Sequence, residues 1–270
     1  MRGARMPTVR VRDIEMAYDD AGRGPVVILL HGFPFNRSMW AEQQRALAND
    51  YRVITPDLRG MGETAGGDGP ATMEEMAHDV AALMDKLGVE RAVVGGLSMG
   101  GYVTLAFYRR HRLRARALVL ADTRPGADTD EARRTREEQA RKILKEGTAA
   151  IADDFLKKVL TPETLAGKPE VVARVREMML KTEARGAAQA LRGMALRHDQ
   201  TSFLEDVIVP ALILVGGEDQ LTPPKEAETM RREIRGSRMQ VIEGASHLSN
   251  VERPAEFNLA LKSFLDELHP

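Results

Sequence analysis

The stretch AVVGGLSMGGY, residues 92–102, indicates both how this chain folds and where its chemistry lies. Its first four residues form a short apolar run typical of a buried strand, and a helical pattern begins at Tyr102. Ser98 therefore lies on a sharp turn from strand to helix, where a Cβ at Gly96 or Gly100 would strike the adjacent backbone. Such a turn lifts the serine hydroxyl clear of the sheet and predicts a nucleophile. A glycine-rich turn that merely closes a strand-helix unit is the alternative.

A serine hydroxyl becomes a good nucleophile only when a base takes its proton, so a histidine is required. We predict His247 as this base, because it lies on a loop between the last predicted strand and the C-terminal helix, from which it can reach the carboxyl edge of the sheet. A surface-loop histidine is the alternative. The other five histidines lie elsewhere: His31 at a strand end, where it fixes the next loop, His78 and His111 on helices, His198 in a helical region, and His269 at the terminus.

The base in turn needs an anion that holds its tautomer and stabilises the imidazolium. Asp219 follows the predicted strand 211–215 and two glycines, and it gives the chain order serine, aspartate, histidine expected for a nucleophile on such a turn. The neighbouring Glu218 would point the other way on an extended loop. Asp122, which follows the predicted strand 117–120, stays a rival because a carboxylate there can also reach the histidine.

Acyl transfer also requires N–H donors for the developing oxyanion. The first predicted donor is the backbone N–H of Met99, which follows the nucleophile at a helix N-terminus. The second is the N–H of Phe33, on the loop after the first central strand; Pro34 has no N–H to give.

Short apolar runs alternate with helical patterns in the first half of the chain, which predicts an α/β fold with a mostly parallel sheet. Thr72 caps a predicted helix with Glu75 three residues on, and a C-terminal helix is predicted over residues 252–268. The predicted strands are a hairpin at 8–12 and 14–18, followed by 26–30, 52–55, 92–95, 117–120, 211–215 and 239–242.

Between residues 122 and 205 the pattern is helical with almost no strand signal. We interpret residues 1–122 and 206–270 as the core domain and 123–205 as a helical cap over the carboxyl ends of the strands, where open α/β sheets bind ligands. A second helical domain with no role at the site is the alternative. Candidate lining residues of an apolar acyl pocket are Trp40, Phe35, Met178, Met179 and Met194, and for each of them packing in the core is at least as strong an alternative.

Composition limits the possible partners of the 270-residue chain. Its 39 basic and 40 acidic side chains nearly cancel, which argues against nucleic acid and anionic membranes and favours a small neutral substrate. The absence of cysteine excludes disulfides and thiol catalysis. Residues 1–5 are basic but no apolar signal-peptide core follows, and no apolar run approaches the length of a membrane span, so we expect a soluble, cytoplasmic protein.

Together these motifs resemble the α/β-hydrolase superfamily along essentially the whole chain, and within it the small carboxylesterases and lactonases related to 3-oxoadipate enol-lactonase, including esterases that cleave acyl-homoserine lactones. The resemblance rests on HGFP at 31–34, Trp40, DLRGMG at 57–62, GLSMGG at 96–101, GED at 217–219 and GASH at 244–247. It implies an eight-stranded sheet with helices on both faces, a helical cap after the sixth strand, a triad of Ser98, Asp219 and His247, and no cofactor. The stretch 57–62 is assigned a structural role only.

The resemblance leaves the reaction open among several classes. Similar sequences include cofactor-free haloperoxidases that act as perhydrolases and hydrolases that cleave carbon-carbon bonds. Dehalogenases and epoxide hydrolases of this fold carry aspartate as the nucleophile, so Ser98 argues against both. A receptor for small molecules on the same scaffold is the non-enzymatic alternative. The prediction is a serine hydrolase of carboxylic esters or lactones, of unknown oligomeric state.

Overall fold

A computed structural model describes residues 7–268 of the chain. The basic start at residues 1–5 and the histidine at position 269 lie outside the described residues, so the expectations placed on them are not addressed. Of the eight strands in the described part, most were predicted within one or two residues. Their bounds are β1 Thr8–Val11, β2 Ile14–Ala21, β3 Val26–Leu30, β4 Arg52–Pro56, β5 Ala92–Leu97, β6 Ala115–Ala121, β7 Ala211–Gly216 and β8 Arg238–Ile242.

The eight strands form one sheet in the order β1-β2-β4-β3-β5-β6-β7-β8. β2 pairs antiparallel with β1 and β4, whereas every pair from β4 to β8 is parallel. Consecutive parallel strands are connected by helical segments that cross over the sheet. The carboxyl ends of these strands therefore lie along the same edge of the sheet. The mostly parallel sheet of an α/β fold is therefore confirmed.

The central strands are apolar along their whole length because helices cover both of their faces. Every residue of β5 and β7 is buried, and helix α3, Met99–His111, adds the fully buried side chains of Phe107 and Tyr108. Burial of this kind stabilises a domain by roughly 25 cal/mol for each Å² of apolar surface removed from water. The strands therefore form a rigid platform for the loops at their ends.

Eleven α-helices lie in the described part of the chain. Thr72 caps α2 as predicted, since its side-chain oxygen accepts a hydrogen bond from the Glu75 N–H. The bounds are α1 Ala41–Leu47, α2 Met73–Lys86, α3 Met99–His111, α4 Asp130–Glu146, α5 Ala149–Val159, α6 Pro162–Gly167, α7 Pro169–Leu180, α8 Ala184–Ala195, α9 Pro224–Glu233, α10 Ser249–Glu252 and α11 Pro254–Glu267.

The predicted C-terminal helix, residues 252–268, is confirmed as α11, but it begins two residues later than predicted, at Pro254. The chain forms the short α10 and then α11, with Arg253 between them at φ −131° and ψ 63°. The cause is Pro254, because a proline ring clashes with a helical conformation of the residue before it. Pro254 instead occupies the first turn of α11, where its missing N–H costs nothing.

Helices α4 to α8 lie between β6 and β7, in the region where the sequence predicted a helical insertion. This group of helices, residues 130–195, is called the insertion below. Its helix α8 meets the core at Gly186, where an added Cβ would lie 1.8 Å from the Gly60 carbonyl oxygen. The backbones are thus in direct contact. The proposed division into a core domain and a cap stays a prediction.

Candidate active site

Ser98 lies on the turn between β5 and α3, with φ 54° and ψ −114°. This backbone conformation is strained for a residue with a side chain, and it persists because the surrounding structure forces it. A Cβ added to Gly96 would lie 2.1 Å from the carbonyl oxygen of Gly100. A Cβ added to Gly100 would lie 2.1 Å from the carbonyl oxygen of Leu30. The two glycines therefore allow the tight turn, for the steric reason that the sequence analysis gave.

The structure brings together the three side chains that were predicted to act as a unit. The Ser98 hydroxyl lies 2.8 Å from Nε2 of His247, and Nδ1 of the same ring lies 2.8 Å from Oδ2 of Asp219. His247 and Asp219 are almost completely buried. An Nδ1–H that donates to the carboxylate leaves the Nε2 lone pair facing the hydroxyl, which is the tautomer that can accept its proton.

Electrostatics keep the His247–Asp219 pair in this arrangement. Burial alone would lower the pKa of His247, but the charge of Asp219 and its hydrogen bond outweigh burial and raise the pKa above the ordinary histidine value. Burial would likewise raise the pKa of Asp219, yet the His247 charge and hydrogen bonds hold it below its usual range. Asp219 therefore stays ionised, and it stabilises an imidazolium that forms next to it.

Asp219 is held by hydrogen bonds from its own loop as well. Its Oδ1 accepts from the backbone N–H groups of Leu221 and Thr222 at 2.8 and 3.0 Å. The Thr222 hydroxyl donates to Oδ2 at 2.6 Å and lies 3.3 Å from Nδ1 of His247. The neighbouring Glu218 is exposed, in line with the expectation that it points away. The sequence analysis did not single out Thr222, which contacts both Asp219 and His247.

The rival carboxylate, Asp122, is held by hydrogen bonds to groups other than the imidazole of His247. It is fully buried at φ 42°, accepts a hydrogen bond from the Gly216 N–H at 2.8 Å, and accepts another from the Ser249 hydroxyl. Burial, reinforced by the Asp219 charge, raises the pKa of Asp122 to about 8. Of the two carboxylates, only Asp219 hydrogen-bonds to His247 in the structure.

The two predicted oxyanion donors flank the Ser98 turn. Met99 is the first residue of α3, so its N–H has no carbonyl partner within the helix and lies at the positive end of the helix dipole. The loop that carries Phe33 passes directly over the turn, because an added Cβ on Gly32 would lie 3.4 Å from the Ser98 Cβ. The peptide bond from Phe33 to Pro34 is cis.

A cavity of about 430 Å³ opens above Ser98, between the sheet edge and the insertion. This volume suits a small organic molecule. The two walls come from different parts of the chain. The loops at the sheet edge contribute Phe33, Ser98, Leu221, Thr222 and His247. The insertion contributes side chains of α4, α5 and α8, among them Thr135, Phe155, Leu191 and Met194.

Of the five predicted pocket residues, the structure brings only Met194 to this cavity. The other four pack in the core instead. The ring centroids of Trp40 and Phe257 lie 6.0 Å apart, and those of Phe35 and Phe155 lie 6.2 Å apart. Met178 and Met179 are buried where α7 packs against its neighbours. Large apolar side chains near a motif are more often core than pocket, because they have the most surface to bury.

The remaining motifs are structural, as predicted. His31 is buried, receives the Leu58 N–H on Nε2 at 2.9 Å and donates from Nδ1 to the Gly32 carbonyl, so it fixes the loop after β3. Burial lowers the pKa of His31 and keeps it neutral. Asp57 accepts hydrogen bonds from the backbone N–H groups of Arg37 and Glu63 and braces the turn after β4.

Several residues of the cavity were not predicted from the sequence. Tyr102, Phe155, Arg124 and Arg136 line it, and only Tyr102 lies in a quoted motif. Arg124 lies two residues after Asp122, close to the carboxyl end of β6. The predicted end of that strand could therefore have indicated that Arg124 lies near the site. Nothing in the local sequence indicates which face of α4 or α5 meets the site.

Two classes of site or segment are not found between residues 7 and 268. No group of three or more His, Cys, Asp or Glu side chains there could hold a metal ion. No helix of that part of the chain has the length and apolar character needed to cross a membrane.

Comparison with known proteins gives the family of the chain. The model of the α/β-hydrolase fold family matches residues 25–254. An esterase from Thermogutta terrifontis, solved with malate bound, is 40% identical with a TM-score of 0.96 over 99% of this chain and 100% of its own. The enol-lactonase from Burkholderia xenovorans is 31% identical, with a TM-score of 0.91 over 96% and 100%.

Sequence comparison finds an enol-lactonase as well. 3-Oxoadipate enol-lactonase 2 of Acinetobacter baylyi is 28% identical over 96% of both chains. These relatives support a hydrolase that acts on small-molecule esters or lactones. With a matching family model over most of its length, the chain belongs to the α/β-hydrolase family.

Proposed function

We propose that this protein is a serine hydrolase of carboxylic esters or lactones that works through an acyl-enzyme. One observation carries the proposal: the continuous hydrogen-bonded series from Ser98 through His247 to Asp219, at 2.8 Å for each link, on the floor of a cavity that admits a small molecule. Nucleophile, base and orienting acid in this geometry are what acyl transfer requires.

In the acylation step, the Ser98 oxygen attacks the carbonyl carbon while its proton passes to Nε2 of His247. The carbonyl oxygen takes up the negative charge, and the N–H groups of Met99 and Phe33 stabilise it. The tetrahedral intermediate then collapses with cleavage of the carbon-oxygen bond to the alcohol. That alcohol leaves with the proton from the imidazolium; in a lactone it stays attached to the acyl group.

Deacylation repeats the same steps with water as the nucleophile. His247 takes one proton from water, the hydroxide oxygen attacks the acyl carbon, and the intermediate expels the Ser98 oxygen, which recovers the proton. The products are a carboxylic acid and an alcohol, or a hydroxy acid from a lactone. No cofactor takes part in this scheme, so we expect turnover to survive dialysis against a chelator.

The decisive experiment compares p-nitrophenyl butyrate hydrolysis by the wild type and Ser98→Ala. We expect kcat to fall by about 10³-fold or more, because the nucleophile is lost. Ser202→Ala is the matched control, since Ser202 is exposed on the short 3₁₀ helix Thr201–Asp206 and does not line the cavity, and it should keep wild-type turnover. Undiminished turnover in Ser98→Ala would refute the proposal.

Two other readings of the site have distinct signatures. A receptor on this scaffold would leave Ser98 unlabelled by a serine-directed fluorophosphonate, whereas a hydrolase is labelled in the wild type and not in Ser98→Ala. A perhydrolase would show halogenation that depends on acetate and peroxide and exceeds ester hydrolysis. A cytoplasmic location stays a prediction from the sequence.

A further inference from the structure

The loop that carries His247 is in direct contact with the insertion. This loop, residues 243–248, lies between β8 and α10 and is called the base loop below. It meets the corner of the insertion at which α5 ends and α6 begins, where the Leu248 N–H donates to the Val159 carbonyl at 3.2 Å. Because α5 contributes Phe155 to the cavity, one helix of the insertion contacts both the proposed base loop and the cavity.

A buried carboxylate joins the base loop to this corner of the insertion. The side chain belongs to Glu252, the last residue of α10, which is almost completely buried. Its Oε2 accepts the Ser246 N–H of the base loop at 2.7 Å. Its Oε1 accepts both the N–H and the hydroxyl of Thr161, each at 2.8 Å. Thr161 lies between α5 and α6, 91 residues from Glu252 in the chain, so one side chain holds two distant segments together.

The next residue, Arg253, contacts the same two segments. Its Nε donates to the Gly244 carbonyl of the base loop at 3.0 Å, and its Nη2 donates to Glu163 of α6 at 3.2 Å. Glu163 is exposed, and an exposed ion pair contributes little to stability because water competes with it. The buried Glu252 is therefore the stronger of the two connections.

The donors around Glu252 suit a carboxylate and do not suit an amide. A backbone N–H can only donate, and one such group lies at each of the two carboxylate oxygens. Glutamine has nearly the same shape, but its NH2 end has no lone pair with which to accept. In Glu252→Gln, the N–H of either Ser246 or Thr161 must face another donor. A buried donor without an acceptor is unfavourable, so the exchange weakens one connection whichever way the amide turns.

We propose that Glu252 is a positioning residue, which holds His247 in place by joining the base loop to the insertion. His247 has to keep two distances of 2.8 Å, one to Ser98 and one to Asp219, from a loop outside the helices and strands. A displacement of about 1 Å at a reacting group can slow a reaction by about 10²-fold. The inference rests on the proposed function for the reaction, and it adds a residue that makes the position of the base depend on the insertion.

The first test compares the hydrolysis of p-nitrophenyl butyrate by the wild type and Glu252→Gln. We expect kcat to fall by about 10- to 100-fold and KM to change by less than about threefold, because a displaced base slows proton transfer more than it alters binding. A residue that only stabilises the fold would lower the free energy of unfolding, measured by denaturant titration, and leave kcat of the folded protein unchanged. That result would overturn the proposal.

The matched control for this exchange is Glu256→Gln. Glu256 lies in the first turn of α11, one helical turn from Glu252, and it is exposed. The same loss of a carboxylate there should leave both kcat and KM at their wild-type values. An equal fall of kcat in both variants would assign the effect to the lost charge and would contradict a role for the hydrogen bonds of Glu252.

A second pair of variants acts from the insertion and leaves the base loop unaltered. Thr161→Val removes the hydroxyl that donates to Glu252, whereas Thr161→Ser keeps it. We expect kcat to fall by about threefold or more in Thr161→Val, a part of what a hydrogen bond to a charged group contributes, and to stay near the wild-type value in Thr161→Ser. Equal kcat in the two variants overturns the proposal, and this comparison decides also if Glu252→Gln does not fold.

The hydroxyl of Thr161 has a second partner, because it accepts the Thr164 N–H as the N-cap of α6. A double-mutant comparison separates the two roles. If Thr161 acts through Glu252, Thr161→Val should lower kcat less in the Glu252→Gln background than in the wild type. Loss of the cap alone would lower kcat by the same factor in both backgrounds, which would contradict the proposal.

Hydrogen exchange separates failure of this inference from failure of the proposed function, because it needs no turnover. The exchange of the backbone N–H groups of residues 246–248 is followed by mass spectrometry in the wild type, Thr161→Val and Thr161→Ser. Faster exchange in Thr161→Val alone supports the connection even if no ester is hydrolysed, since a protected N–H exchanges when its hydrogen bond opens. Equal exchange in all three proteins overturns it even if esters are hydrolysed well.

Discussion

The two walls of the cavity differ in how the chain holds them. The sheet edge supplies Ser98, Asp219 and His247 from loops that each follow a strand, and backbone contacts fix these loops. The insertion supplies the opposite wall from side chains on α4, α5 and α8. A site held by backbone contacts and a rigid sheet tolerates little change, whereas a wall of side chains can vary without loss of the fold. We therefore propose that the first wall determines the reaction and that the second determines which substrates enter.

The largest effect should come from the sheet edge, in Asp219→Asn. The asparagine cannot stabilise an imidazolium, and its amide favours the wrong tautomer of His247, so we expect kcat to fall by about 10⁴-fold. Asp122→Asn is the matched variant at the end of the neighbouring strand. Since the raised pKa of about 8 keeps Asp122 largely protonated at neutral pH, the neutral amide should replace it with less than a tenfold change in kcat/KM. Equal losses would show that both carboxylates serve the base.

The pH profile tests the same pair of residues. His247 must be neutral to accept the Ser98 proton, and Asp219 raises its pKa. Activity should therefore decline as the pH falls through a value above that of an ordinary histidine. Removing the charge in Asp219→Asn removes the cause of the rise, so the acid limb of kcat/KM should move to lower pH in its residual activity. An acid limb that does not move would mean that another group governs it.

The sequence predicted the sheet-edge wall far better than the other. Ser98, Asp219 and His247 each follow an apolar strand, and the carboxyl ends of parallel strands meet at one edge, so local patterns sufficed to bring them together. Of the three methionines of the insertion that were predicted to line the pocket, only Met194 lines the cavity. The packing of α4 and α8 depends on long-range contacts, and helical periodicity in the sequence does not encode them. The break at Arg253 could have been predicted from Pro254.

A smaller effect is expected where the insertion rests on the core. In Gly186→Ala the new Cβ would lie 1.8 Å from the Gly60 carbonyl oxygen, so α8 must move away from the core. We expect a loss of about 1–3 kcal/mol in the free energy of unfolding and a higher KM for p-nitrophenyl butyrate. Denaturant titration and steady-state kinetics measure these changes.

Gly167→Ala is the control within the same insertion, because an added Cβ there meets no atom within 4 Å. It should leave KM unchanged and the free energy of unfolding equal or slightly higher, since alanine favours the helix. If KM changes as much in Gly167→Ala as in Gly186→Ala, then any alteration of the insertion disturbs the site, and the contact between α8 and the core at Gly186 has no special part in it.

The smallest effect should be one of selectivity, in Met194→Leu. Met194 lines the cavity, and leucine nearly conserves its volume, so we expect a stability loss below about 1.5 kcal/mol. The relative kcat/KM for p-nitrophenyl esters from acetate to octanoate should nevertheless shift, by less than about tenfold, because a branched side chain reshapes the wall. Met179→Leu makes the same exchange at a core position away from the cavity and should leave the chain-length profile unaltered. If both variants shift the profile alike, general packing rather than the insertion wall selects the acyl chain.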